Sequence, residues 1–276
     1  MPMKIPMKKL LLVSTVALFF IAGTVSANHS WGKYHWDLST VQTTANPLDL
    51  RNNLTNNWPM NLVTASTDWN ASVLKNEVVI GNSNANCDPT AGSVEVCNGQ
   101  YGNNGWLGIA SIWVTRGKDN HITQGVVKLN DTYFNTQPYN TSAWKNMVMC
   151  QEVGHTFGLG HQDENFSNTN LGTCMDYTND PTGTLGTNGT LNNEKPNLHD
   201  YDMMTEIYAH LNSTSGGGGT PRKGKGKPAN VGANIDLNNP SSWGKAIKQD
   251  ARGNNSLFER DLGNGQVLIT HVIWIK

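Results

Sequence analysis

Residues 150–177 constrain this chain more than any other stretch, because their spacing makes several polar side chains meet at one point. The run is Cys150, Gln151, Glu152, Val153, Gly154, His155, Thr156, Phe157, Gly158, Leu159, Gly160, His161, followed by Cys174, Met175, Asp176 and Tyr177. Side chains four apart on a helix project from the same face one turn apart, so Gln151 and His155 are neighbours, with Glu152 beside them. Gly158, which lacks a Cβ, lets the chain take the left-handed conformation that ends a helix, and the turn brings His161 back toward His155. Neutral imidazole nitrogens brought together in this way suit zinc, which keeps an open position for water.

The pattern resembles that of the metzincin zinc endopeptidases, HExxHxxGxxH with a downstream Met-turn. Gln151 stands where the family has its first histidine. The resemblance implies Zn2+ held by His155 and His161. Glu152 is then the general base that takes a proton from water and passes it to the leaving amine. Met175 supports the site from below. Tyr177, placed as in the astacin and serralysin branches, is implied as an oxyanion stabiliser, and Met175, Asp176 and Tyr177 together also resemble the pappalysin branch. Gly105, Trp106, Leu107, Gly108, Ile109 and Ala110 are similar to the matrixin edge strand, whose backbone pairs with extended substrate. The element order from Trp31 to Leu211 is that of a metzincin domain and is most similar to secreted, matrixin-like microbial proteins.

Position 151 leaves three alternatives. A carboxamide oxygen is a neutral, poorer donor than imidazole, so Gln151 would be a weak ligand. Another histidine, such as His121 or His199, would complete the site instead. The third alternative is a catalytically dead relic, although such a relic need not keep its general base, two histidines, glycine bend, Met-turn and tyrosine together.

The N-terminal residues have the form of an export signal. Lys4, Lys8 and Lys9 precede an apolar run of 13 residues from Leu10 to Ala22, and Val25, Ser26 and Ala27 form a small-residue cleavage site. That run falls short of the roughly 20 residues a membrane-spanning helix needs. Residues 1–27 are therefore assigned to a signal peptide, and the chain to an extracellular or periplasmic location. Removing those three lysines from 20 basic residues leaves 17 against 21 acidic ones, a balance that gives no support for a nucleic-acid partner. Four cysteines in an exported chain fit disulfides, and four allow three pairings. Cys87 with Cys97 would close a short loop, while Cys150 with Cys174 would tie the helix of the site to the Met-turn. This pairing is favoured because it braces the site. No CxxC spacing supports metal ligation by cysteine.

Along the mature chain, strand-like and helix-like segments alternate. The fold class is α+β, a metzincin-like catalytic domain over 28–212 with a twisted mixed sheet and a long active-site helix. Strands are expected at Trp31–Leu38, Glu77–Ile80, Ser93–Val96, Leu107–Thr115 and Ile122–Leu129. Helices are expected at Trp58–Trp69, with Pro59 in its first turn, from Thr141 or Ser142 through the site, and at Leu198–Leu211. Asp163, Glu164, Asp176 and Asp180 are candidate oxygen ligands for Ca2+, although solvated turns fit their spacing better. Asn70, Asn140 and Asn188 open NxS/T triplets, which matter only in a host that glycosylates exported proteins.

Residues 213–233, rich in glycine with Arg222, Lys223, Lys225 and Lys227, have the composition of a linker. Residues 234–276 read as a small β unit with strands at Trp243–Lys248, Leu257–Asp261 and Gln266–Ile275. Such a unit is marginal alone and should dock on the catalytic domain, a cell surface or a substrate. No cysteine precedes Cys87 to cap the metal in the matrixin manner, so a C-terminal segment covering the cleft is a conceivable source of latency. The reading is a secreted zinc endopeptidase acting on protein or peptide substrates. Its alternatives are an inactive metzincin-fold protein that binds polypeptide or a surface, and a structural or adhesive protein.

Overall fold

The computed structural model describes Met1 and residues 29–30, 34–38, 46–55, 57–58, 60–81, 86–117, 120–186, 189–209 and 235–276. The export signal, Trp31, Pro59, Asn188, Leu211 and the linker at 213–233 lie outside the described residues.

The described chain folds around one mixed sheet. Its strands are β1 (His35–Trp36), β2 (Leu48–Asn53), β3 (Asn76–Ile80), β4 (Ser93–Gly99), β5 (Trp106–Thr115), β6 (His121–Asn130), β7 (Lys245–Gln249), β8 (Asn255–Gly263) and β9 (Gln266–Trp274). The main order is β3-β2-β4-β6-β5-β9-β8-β7, and β1 also pairs with β6. From β3 to β6 every neighbour is parallel, whereas β5 runs antiparallel to β6 and β9, and β8 antiparallel to β9 and β7. The parallel step from β2 to β3 needs a crossover, which α1 (Asn61–Trp69) supplies.

Two of the expectations shift here. The first strand shortens to His35–Trp36 among the described residues, and the expected helix from Trp58 starts at Asn61. β2 was not expected at all, because Leu48, Asp49, Leu50, Arg51, Asn52 and Asn53 show only a short alternation before ending in polar residues. Its two leucines are fully buried and its Arg51 is held by Ser93 and Asp49.

Residues 235–276 extend the sheet rather than packing as a separate body. β9 pairs with β5 from Trp106↔Trp274 to Thr115↔Gln266. Side chains alternate across strands. On one face Ile112, Val114, Val267, Ile269 and Ile273 join the main core beneath the helices. On the other face Ile109, Trp113, Leu268 and Val272 pack with Trp243 and Phe258 in a second apolar layer. Trp243, expected at the start of a strand, instead follows a short 3-10 turn and donates its indole N–H to the Leu237 carbonyl.

The long helix α3 (Ser142–Thr156) crosses the main face of the sheet. Thr141 caps it, its hydroxyl accepting from the Trp144 amide, as the sequence predicts. At the other end Gly158 has φ +102, its amide donates to the His155 carbonyl, and the Leu159 amide reaches back to the Gly154 carbonyl. Those two bonds satisfy carbonyls that a helix end would otherwise leave unpaired. Buried donors serve the last turns further: the Trp36 indole on Thr156, the Trp69 indole on Cys150 and the Tyr208 hydroxyl on Phe157. A short helix α2 (Asp131–Phe134) precedes α3, and α4 (Leu198–Tyr208) opens on a reciprocal cap between Asn197 and Asp200. Disulfides join Cys87 to Cys97 and Cys150 to Cys174 and fit an oxidising compartment. Among the described residues no helix is long and apolar enough to cross a membrane.

At Gly158 an added Cβ would both oppose the positive φ and run into the Tyr34 carbonyl. Gly158→Ala should therefore destabilise the chain by more than about 1 kcal/mol. Chemical denaturation should show it as a lower midpoint with an unchanged slope.

Candidate metal centre

α3 places Gln151, Glu152 and His155 in the interior, all with no measurable exposure. The His155 ring donates Nδ1–H to the Leu159 carbonyl at 2.8 Å. A carbonyl only accepts, so Nε2 of that ring carries the lone pair. Beyond the Gly158 bend, His161 sets Nδ1 at 2.7 Å from Oε1 of Glu164, and an ionised carboxylate likewise only accepts. Its Nε2 faces that of His155 at 2.8 Å, so a proton shared between the two rings or a cation has to lie between them. Burial, and then the neighbouring His271 and His161, hold the His155 imidazole well below its usual range.

The third imidazole comes from His271 on β9. It stacks on His155 with ring centroids 4.0 Å apart and planes 9° from parallel, and the ligand atoms of His155, His161 and His271 all lie within 4.8 Å of one another. Burial, followed by the nearby His161, also pulls its pKa down. Of the alternatives for position 151, the one that invoked another histidine named His121 and His199, and neither lies with this group. His121 opens β6 and sits 3.9 Å from Asp37, and His199 stacks on His29 at the start of α4. His271 arrives because it shares the core-facing parity of Val267, Ile269 and Ile273. In the sequence it is a lone imidazole on the inner face of an otherwise apolar strand, a signal that becomes meaningful only once β9 is known to lie beside β5.

Gln151 is engaged on the opposite element. Its Nε2 donates to the Cys174 carbonyl at 2.8 Å, which ties the helix to the turn that the Cys150–Cys174 disulfide also holds. Its Oε1 is buried with no hydrogen-bond partner. Both carboxylate oxygens of Glu152 are in the same condition, and burial lifts that pKa well above the usual carboxylate range. Gly108 on β5 makes room for this carboxylate, since a Cβ there would sit 2.6 Å from Oε1. Met175 lies under the helix as expected, with its sulfur 2.7 Å from where a Cβ of residue 154 would be. Tyr177 packs edge-on to His161, with ring centroids 4.5 Å apart. Its hydroxyl, however, donates to the Val272 carbonyl at 2.8 Å and is thereby committed to β9.

The expected substrate edge is filled. Ile109 pairs with Lys128 on one side and Val272 on the other, and Ala110 with Val127 and His271. The backbone of Gly108–Ala110 therefore has strand neighbours on both flanks, and β9 runs where an extended peptide would pair.

The acidic loop residues are largely taken up locally, although Oδ1 of Asp176 is buried with no hydrogen-bond partner. Asp163 accepts from the Asn165 amide, Asp176 from the Leu171 amide and Asn193, and Asp180 from Thr182, Thr184 and Leu185. Glu164 receives His161, Lys248 and Ser256, the last two from the C-terminal strands. Among the described residues, two groups of His, Cys, Asp or Glu are close enough to share an ion: His155 with His161 and His271, and His29 with His199 and Asp200. The first, three imidazoles with the unpartnered Glu152 carboxylate on the same helix as His155, suits zinc by donor type.

The chain matches no known family model and no curated protein.

Burial alone would raise the Glu164 pKa, but His161 and Lys248 outweigh it and hold the carboxyl down to about 2, against 4.5 unperturbed. A depressed folded-state value stabilises above pH 4.5 and is lost as the pH falls toward 2. Glu164→Gln should cost on the order of 2 kcal/mol at pH 7. It should also flatten the acid side of the stability curve across that window, as measured by denaturant titrations of the metal-free protein at several pH values.

Proposed function

We propose that this chain is an exported zinc-dependent endopeptidase of metzincin-like layout, in which His271 supplies the third imidazole. The observation that supports it best is the convergence of three buried imidazoles beside a buried carboxylate that has no partner of its own. Zinc held there would act as a Lewis acid and lower the pKa of a bound water toward neutrality. Glu152, whose burial makes it hold a proton more tightly than an ordinary carboxylate, is suited to take one from water and pass it to the leaving amine. Glu164 orients the His161 ring and the Leu159 carbonyl that of His155, so that both Nε2 atoms would be available to hold zinc. Gln151 holds α3 to the Met-turn, and its free Oε1 is a further neutral donor facing the interior.

A second reading is supported by β9. The strand fills the edge of β5 and engages the Tyr177 hydroxyl, which suits a metal-binding protein that keeps the frame without hydrolysing peptides.

Zinc content and casein cleavage, measured together on purified protein, separate the two. For the endopeptidase, the zinc-loaded chain cleaves, chelator abolishes cleavage, and Glu152→Ala keeps its zinc while losing about 100-fold or more in rate. His271→Ala should lose one equivalent of zinc along with activity. Equal background cleavage by wild type and Glu152→Ala, with zinc retained in both, selects the second reading. Zinc that survives His271→Ala unchanged removes His271 from the ligand set.

A further inference from the structure

We infer that the chain holds a second divalent cation, zinc by its donor chemistry, between His29, His199 and Asp200. The inference goes beyond the endopeptidase reading and does not depend on it. The three ligand atoms lie within 4.8 Å of one another, with His29 from the N-terminal part of the chain and the other two at the start of α4.

Hydrogen bonding decides what this group can hold. His29 donates Nδ1–H to the Gly160 carbonyl at 3.1 Å, which leaves Nε2 with its lone pair. That Nε2 sits 3.5 Å from Oδ1 of Asp200, and the two side chains are only 2% and 0% exposed. Asp200 spends its other oxygen, Oδ2, on the Thr173 hydroxyl and the Asn197 amide, while Oδ1 has no hydrogen-bond partner. Nε2 of His29 has none either. Two acceptors thus face each other in the dry interior, at a separation too long for a hydrogen bond and suited to a shared cation. The His199 ring, stacked on His29 with centroids 4.8 Å apart, offers the third donor. Two imidazoles and one carboxylate are a donor set zinc accepts, with water available for a fourth position.

The consequence is mechanical. His29 and Gly160 exchange backbone and side-chain bonds, the Gly160 amide donating to the His29 carbonyl at 2.5 Å, and Ser30 bridges to Leu159. Gly160 has no room for a side chain, since a Cβ there would lie 2.8 Å from the His29 carbonyl. An ion on His29 therefore clamps the segment immediately before His161 to the start of α4. It holds in place the loop that delivers a ligand of the first centre.

The test is the zinc stoichiometry of the full chain, purified after export, loaded with zinc alone and measured by elemental analysis after dialysis. Wild type is expected to hold about two equivalents, and His29→Ala, His199→Ala and His155→Ala about one each, with none left in the His29→Ala and His155→Ala double variant. His199→Ala, at a partly exposed position, guards against a folding defect in the other variants, and circular dichroism checks each of them. The proposal is overturned if His29→Ala and His199→Ala bind as much zinc as wild type. It is also overturned if wild type holds a single equivalent that disappears with His155→Ala. A single equivalent that disappears with His29→Ala and survives His155→Ala upholds this site and removes the three-histidine centre instead.

Discussion

Two imidazole nitrogens, each turned inward by a hydrogen bond on the far side of its ring, face each other across 2.8 Å in a dry interior. The structure around them is arranged to keep that opposition in place. The glycine turn at the end of α3 aims one ring and the Glu164 loop aims the other. β9 seals the space from water and brings a third ring with it. In low dielectric, repulsion between such groups is expensive and attraction to a cation is correspondingly strong.

The features governed by local chemistry were the legible ones. Thr141 and Gly158 bound α3 because a hydroxyl cap and a residue free to adopt positive φ are short-range requirements. Strands β3 to β6 and β9 lay within a few residues of where branched and aromatic runs place them. β2 escaped notice because its burial comes from being flanked by β3 and β4, and its own residues alternate only weakly. His271 escaped for the same reason on a larger scale. Nothing local in Gln266–Trp274 says that the strand will lie along β5, so the imidazole could not be assigned to the centre more than a hundred residues upstream.

The identity of residue 151 makes sense in this setting. A metal site built from one helix and its following loop needs a histidine there. A site whose third ring comes from another strand frees that position for a different use. The carboxamide offers an N–H to the Cys174 carbonyl, which a neutral imidazole could match only by giving up one of its two nitrogens. Gln151 thus reinforces the covalent link between Cys150 and Cys174. β5 shows the complementary trade: with partners on both flanks it is a rigid central strand, and its Gly108 is left as the gap into which Glu152 fits.

The order of the three imidazoles along the chain also sets when they can meet. His155 and His161 emerge early, but His271 follows after a span of roughly 110 residues, and bringing it home closes a long loop. Under the proposed function, zinc would find its third imidazole only after the C-terminal strands had entered the sheet, so loading would be a late event that reports on near-complete folding.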